Sequence, residues 1–124
     1  MCVLIAVLLL QANTPTPAVP VVYTERPPLM QVSAKEVAKD LLTKEQYSCF
    51  TKLIGKESAW NPKAENPKST ASGIGQMLDS TYSSLGMKKS NAGVSQLLAT
   101  LSYISRRHVH PCGAWRHFQE KGWY

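Results

Sequence analysis

Val94, Leu97, Leu98, Leu101 and Ile104 recur at the i, i+3, i+4, i+7 spacing of one helix face. A second stripe runs through Tyr47, Phe50, Leu53, Ile54, Glu57 and Trp60. No stretch alternates apolar and polar residues with a period of two, and no segment repeats. A chain patterned this way can bury its apolar residues only by packing helix on helix, so the expected class is all-α.

Local signals give the expected boundaries. Ser33-Ala34-Lys35-Glu36 and Thr43-Lys44-Glu45-Gln46 both read as capping boxes, in which a hydroxyl and a side chain three residues on satisfy orphan donors of a first helical turn. Val37, Leu41 and Leu42 follow the first box. The second opens the Tyr47–Trp60 stripe, with Pro62 as its stop. Asn66–Met77 is rich in Ser, Gly and Thr and reads as a loop. Asp79 or Ser80 is expected to cap a short helix through Leu85, and Asn91 a longer one carrying the Val94–Ile104 stripe. Arg106, Arg107 and His108 suit that helix's negative end, and Pro111 stops it. Ala114–Lys121 is expected as a last short helix with Gly122 as its C-cap.

The globular part is expected to span 33–124. Before it, Met1–Leu10 is a short apolar run of the kind found in export signals, although no Lys or Arg precedes it. Residues 1–12 thus read as a signal-like segment, with an uncleaved anchor or a start codon placed too late as alternatives. Residues 13–32 read as a proline-rich, disordered linker. No stretch reaches the roughly 20 apolar residues that span a bilayer. Thirteen Lys and Arg and seven Asp and Glu follow residue 32, so the whole net charge of +6 lies on the globular part. Such a balance favours a polyanionic partner: nucleic acid, an anionic membrane or an anionic wall polymer. Neither a recognition helix nor an RNA-stacking sheet is evident, which argues against nucleic acid.

Glu57 is the anomalous residue. It lies seven after Phe50, four after Leu53 and three before Trp60, so a carboxylate shares an apolar helix face. Burying it charged and unpaired costs several kcal/mol. The cheaper state is a raised pKa that keeps it protonated, which is what a general acid needs. The alternative is a carboxylate at the helix end paired with Arg106 or Arg107.

Glu57-Ser58-Ala59-Trp60-Asn61-Pro62 is followed by Asn66-Pro67-Lys68-Ser69-Thr70-Ala71-Ser72-Gly73-Ile74-Gly75-Gln76. The pattern E-S-x-W-N-P, a Ser-rich loop and G-I-G-Q resembles the lytic transglycosylase superfamily with the goose-type lysozyme fold. Tyr103-Ile104-Ser105-Arg106-Arg107, Pro111-Cys112-Gly113-Ala114-Trp115 and Gly122-Trp123-Tyr124 resemble its small secreted or phage-borne members from actinobacterial and other Gram-positive systems. The resemblance spans Gln46–Tyr124. It implies a lysozyme-like domain that cleaves the MurNAc-GlcNAc β-1,4 bond of peptidoglycan. Glu57 would be the single catalytic acid/base, with no cofactor. Ser58 would orient it or contact the sugar N-acetyl group. Gln76 would line the glycan cleft, Gly73 and Gly75 would let the backbone approach the sugar, and Tyr103 would be the cleft tyrosine. Where many members carry A-Y-N, this chain has Ala114-Trp115-Arg116. Trp115 would stack on a sugar ring but offers no phenolic hydroxyl.

An ordinary glycosidase flanks the scissile bond with two carboxylates. Only Glu65, Asp79 and Glu120 follow Glu57, and this paucity favours the transglycosylase route with its 1,6-anhydromuramic product. Hydrolysis with Asp79 as base is the alternative, and a non-catalytic peptidoglycan-binding domain is another. With Cys2 in the export segment, Cys49 and Cys112 form an even pair in a chain that reads as exported, and a disulfide between them is expected. Two free buried thiols are the alternative. His108, His110, Cys112 and His117 match no common zinc spacing, so no metal is expected. The expected partners are glycan strands and anionic wall polymers. The expected state is a monomer, secreted, at the cell envelope or carried on a phage virion.

Overall fold

The computed structural model describes residues 32–124, so the signal-like segment and nearly all of the linker lie outside the described residues. Five helices form there: α1 Ala34–Leu41, α2 Lys44–Glu57, α3 Asp79–Leu85, α4 Gly93–His108 and α5 Pro111–Lys121. Among the described residues there is no strand, only isolated bridges from Ser72 to Glu65 and to Met77.

The first two starts follow the capping chemistry. Ser33 and Glu36 close a full box on α1. Thr43 accepts from the Gln46 N–H at 3.2 Å. The Gln46 side chain does not close the second box. Its carbonyl oxygen accepts from the Cys112 N–H at 3.0 Å, at the partly buried start of α5. A residue that reads as a local cap thus ties two helices.

α3 ends at Leu85 and α5 at Lys121 with Gly122 as its C-cap, as expected, while several other boundaries differ. α2 stops at Glu57, five residues before Pro62, because Ala59 and Trp60 adopt left-handed conformations, with φ of 50° and 65°. Trp60 leaves the helix yet keeps its apolar contact, its ring meeting Phe50 edge-on at 5.6 Å. Asp79 is the first residue of α3 and not its cap; the Thr70 hydroxyl accepts the Asp79 N–H at 3.1 Å. Asn91 does not cap α4, which begins after Ala92 with no side-chain cap. α5 starts at Pro111, three residues early, with Pro in the first turn, where its missing N–H is no loss, and His110 Nδ1 accepting from the Gly113 N–H at 3.1 Å.

The core forms where the two stripes meet. Phe50, Leu53 and Ile54 of α2 pack with Leu97 and Ile104 of α4, Ala38 of α1, Ala114 of α5 and Ile74 of the long loop. Each large side chain so buried contributes roughly 1.5–3 kcal/mol. A smaller cluster of Met77, Tyr82 and Ala99 fastens α3 to α4. α5 lies against α2 and α4. Cys49 of α2 and Cys112 of α5 are bridged, with Cα atoms 5.0 Å apart.

That bridge closes a loop of 63 residues. Chain entropy then gives it roughly 4 kcal/mol against the unfolded state. Reduction of the folded protein is expected to lower its melting temperature by on the order of 15 °C, a large shift for a domain this small. Calorimetry with and without reductant checks this, and an unchanged melting curve after full reduction would remove the stabilising role.

Candidate active site

Glu57 ends α2 at the wall of a cleft of about 880 Å³. The turn Gly73–Met77 forms one side, Ser80, Thr81 and Ser84 of α3 another, and Tyr103, Arg106 and Arg107 of α4 a third. Burial pushes the Glu57 carboxyl above its ordinary value. Its place in the last helical turn, near the negative end of the helix dipole, works the same way. Among the described residues no salt bridge reaches it, so neither Arg106 nor Arg107 pairs with it. Glu57 is also the only acid among the described residues lining the cleft.

The turn beside Glu57 is closed by a two-way backbone pair between Ser72 and Met77 and fastened to its surroundings by side chains. The Ser58 hydroxyl donates to the Ile74 carbonyl at 2.6 Å. The Ile74 N–H donates to Gln96 Oε1 at 3.0 Å. Gln96 is 3% exposed and spends both amide hydrogens, on Pro62 O at 3.0 Å and Ser90 O at 2.9 Å. The Gln76 amide folds back onto Gly73 O at 2.9 Å and Ala64 O at 3.2 Å. A Cβ on Gly73, whose φ is +75°, would lie 2.5 Å from the Gln96 carboxamide. One on Gly75 would collide with the Thr100 side chain. Both glycines therefore let the turn press against α4.

The structure sorts the expected site residues. Glu57, Gln76 and Tyr103 come together on the cleft. Ser58 does not line it; its hydroxyl is committed to Ile74 and so holds the wall next to Glu57. Gly73 is buried behind the turn, and Gly75 is the glycine on the cleft surface. Trp115 is not brought to the cleft: it stacks on Phe118 at 5.8 Å and packs against the core. Trp123 takes the wall position instead, set between Arg107 at 5.4 Å and His117 at 4.4 Å. Asp79 lies off the cleft lining in an ion pair with Lys89 at 2.7 Å. Sequence reasoning missed Gln96, Thr100 and Tyr124. The first two carried a signal, since Gln96, Thr100, Tyr103 and Arg107 follow one another at helical spacing along one edge of α4.

Among the described residues, no three His, Cys, Asp or Glu side chains converge as a metal-ligand set. His108 and His117 stand ring to ring at 4.9 Å, and burial lowers the His108 pKa, with His117 and Arg107 adding to the effect.

A family model described as the transglycosylase SLT domain matches residues 29–102, more than half of the chain. The chain belongs to the transglycosylase SLT domain family. Its all-α, lysozyme-like domain is the kind that carries out lytic-transglycosylase-type cleavage of peptidoglycan. No curated protein and no solved structure matches the chain. The SLT match takes in Glu57 and the Gly73–Gln76 turn and ends one residue before Tyr103. The cleft wall built by Tyr103, Arg106, Arg107, Trp123 and Tyr124 lies beyond it.

The raised Glu57 pKa has a stability consequence with a definite sign. The folded state holds this proton more tightly than the unfolded state does. Stability is therefore lost as pH rises from the unfolded carboxyl value through the raised folded one. Glu57→Gln removes that loss. The variant is expected to melt at or above wild type at pH 7, with the gap shrinking toward pH 4. Melting curves at the two pH values check it; a gap that widens on acidification contradicts it.

Proposed function

We propose that this SLT domain is a lytic transglycosylase in which Glu57 is the single acid/base and the substrate supplies its own nucleophile. One observation carries the reading: Glu57 is the only acid lining the cleft among the described residues, and Asp79, the residue a hydrolytic mechanism would need, is paired with Lys89 off the lining. In the first step the protonated form of Glu57, which burial favours, gives its proton to the glycosidic oxygen. The C1–O bond breaks as the carbonyl oxygen of the 2-acetamido group attacks C1. In the second step the Glu57 carboxylate removes the proton from the C6 hydroxyl. That oxygen then attacks C1, the acetamido group is restored, and a 1,6-anhydromuramic end forms with no water consumed.

The remaining assignments follow from this reading. Gln76 and Tyr103 line the glycan cleft, and Trp123 offers an aromatic face at its rim. The globular unit is 33–124, since α5 is covalently tied to α2 and the tail completes the cleft. The +6 charge favours adsorption to anionic wall polymers, and the site of action is the cell envelope.

Digestion of purified sacculi in heavy-oxygen water tests the mechanism. Wild type is expected to release muropeptides ending in 1,6-anhydromuramic acid, each lighter by one water than its hydrolytic counterpart and free of label. Glu57→Gln is expected to lose at least about a hundredfold in rate while remaining folded, as loss of a general acid requires. Wild-type activity should fall as pH rises through the raised Glu57 value. Labelled reducing ends that vanish in Asp79→Asn would make the protein a hydrolytic lysozyme. Tight binding to sacculi with no released product would make it a binding domain.

A further inference from the structure

Tyr124 is a part of the cleft that neither the SLT match nor the catalytic proposal uses. Its phenol donates to the main-chain oxygen of Gly75, in the middle of the turn that faces Glu57. Gly75 itself is buried, and a Cβ there would lie 3.0 Å from the Tyr124 hydroxyl. Tyr124 is fixed from the other side as well. The Tyr103 hydroxyl of α4 donates to its main-chain oxygen at 2.9 Å, and the two rings meet edge-on at 5.7 Å. The neighbouring Trp123 is gripped by Arg107 and His117. Gly122, in a left-handed conformation with φ of 78°, ends α5 and turns the chain back toward this wall. So the segment 122–124 is a strap over the end of the cleft, anchored at three points.

We infer that Tyr124 is a positioning residue for the cleft, holding the Gly75–Gln76 turn in register with Glu57 and keeping water from the Glu57 side of the wall. The hydroxyl does the first through its bond to Gly75, and the ring does the second by filling the space between the turn and α4. The electrostatics agree. Burial raises the Tyr124 pKa well above its ordinary value, and the nearby Glu57 charge adds to the rise. The other titratable or charged groups facing this pair are Tyr82 of α3, Tyr103, Arg106, Arg107 and His108 of α4, and His117 of α5, the last reached through the His108 ring. None of them hydrogen-bonds to Gly75, so the hold on the turn from this side is Tyr124's alone among the described residues.

The kinetic part of this inference rests on the transglycosylase reading, and the placement part does not. Two variants separate hydroxyl from ring. Tyr124→Phe keeps the ring and leaves the Gly75 carbonyl without its donor. It is expected to lower kcat on sacculi by on the order of tenfold with KM little changed and the alkaline limb of the pH profile in place, because a shifted turn misplaces the reacting groups. Tyr124→Leu keeps most of the apolar volume needed to fold but opens the wall. It is expected to move the alkaline limb to lower pH by about half a unit or more, as the hydrated Glu57 carboxyl returns toward its ordinary value. Carbon-13 NMR titration of the Glu57 carboxyl in wild type and Tyr124→Leu reads the same shift without any substrate. If no protein cleaves sacculi, the functional reading fails and the titration still decides the role of Tyr124. A merely structural Tyr124 would lower the melting temperature in both variants while leaving kcat below that temperature, the alkaline limb and the Glu57 titration at wild-type values. That outcome overturns the inference.

Discussion

The Ile74 peptide is clamped on both sides by side chains from different helices, and the cleft depends on it. Ser58, just past the end of α2, takes the carbonyl, and Gln96 of α4 takes the N–H. Ile74 is fully buried, and a buried peptide with either group unpaired would cost about 1–3 kcal/mol. The loop between Pro62 and Leu78 has little secondary structure with which to satisfy such groups. Beyond its own backbone bonds, such as Ser72 with Met77 and Gly73 with Ala64, its order comes from the two helices that carry the core. The same clamp fixes the distance between the end of α2, where Glu57 sits, and the Gly73–Met77 turn that faces it. Packing of the hydrophobic stripes and shape of the cleft are in this sense one arrangement.

The helical stripes were legible because their period is a property of the chain alone. Phe50, Leu53, Ile54, Leu97 and Ile104 lie in the core where the spacing puts them. Helix ends were less legible, since caps compete with tertiary partners. Asp79 has a capping side chain, but it sits one residue inside α3 after Leu78, with its N–H on the Thr70 hydroxyl and its carboxylate on Lys89. Gln46 completes a capping box on paper and instead bonds to Cys112, which lies far along the chain. The early end of α2 had no glycine to announce it: Ala59 and Trp60 hold left-handed conformations that cost about 1–2 kcal/mol each, sustained by the packing of Trp60 on Phe50. Pro111 was read only as a stop for α4, while the same fixed φ suits the first turn of α5.

The site divides along the same line. Glu57 stands out within its own helix, as a carboxylate on an apolar face, and the Gly73–Gln76 turn lies close after it. The first was legible from short-range pattern, and the second from the motif resemblance. The opposite wall comes from residues 103–124, brought back across the molecule by α4, α5 and the disulfide. Choosing between Trp115 and Trp123 as the cleft aromatic needed the orientation of α5, which no local spacing encodes. Trp115 faces Phe118 and the core, and Trp123, one residue past the helix's C-cap, is free to turn onto the rim. At 48% exposure, Trp123 is the more open of the two, since Trp115 is partly buried against Phe118 and the core.

Two electrostatic demands meet in this cleft and do not cancel. A basic protein attracts an anionic polymer, yet positive charge near a general acid pushes its proton off. The magnitudes decide the outcome. An exposed guanidinium about 10 Å from a carboxylate, with water between, changes its energy by roughly 0.4 kcal/mol at low salt, and by less once counterions screen it. Arg106 and Arg107 are both exposed, and burial alone sets the direction of the Glu57 shift, upward. In the proposed function, cations spread over the surface therefore gather an anionic substrate from a distance at little cost to the acid. A buried cation in contact with Glu57 would instead hold it ionised and remove the proton that the proposed first step requires. Under the proposed mechanism, the separation of charged rim from half-buried carboxylate lets one small domain be basic while its acid keeps a raised pKa.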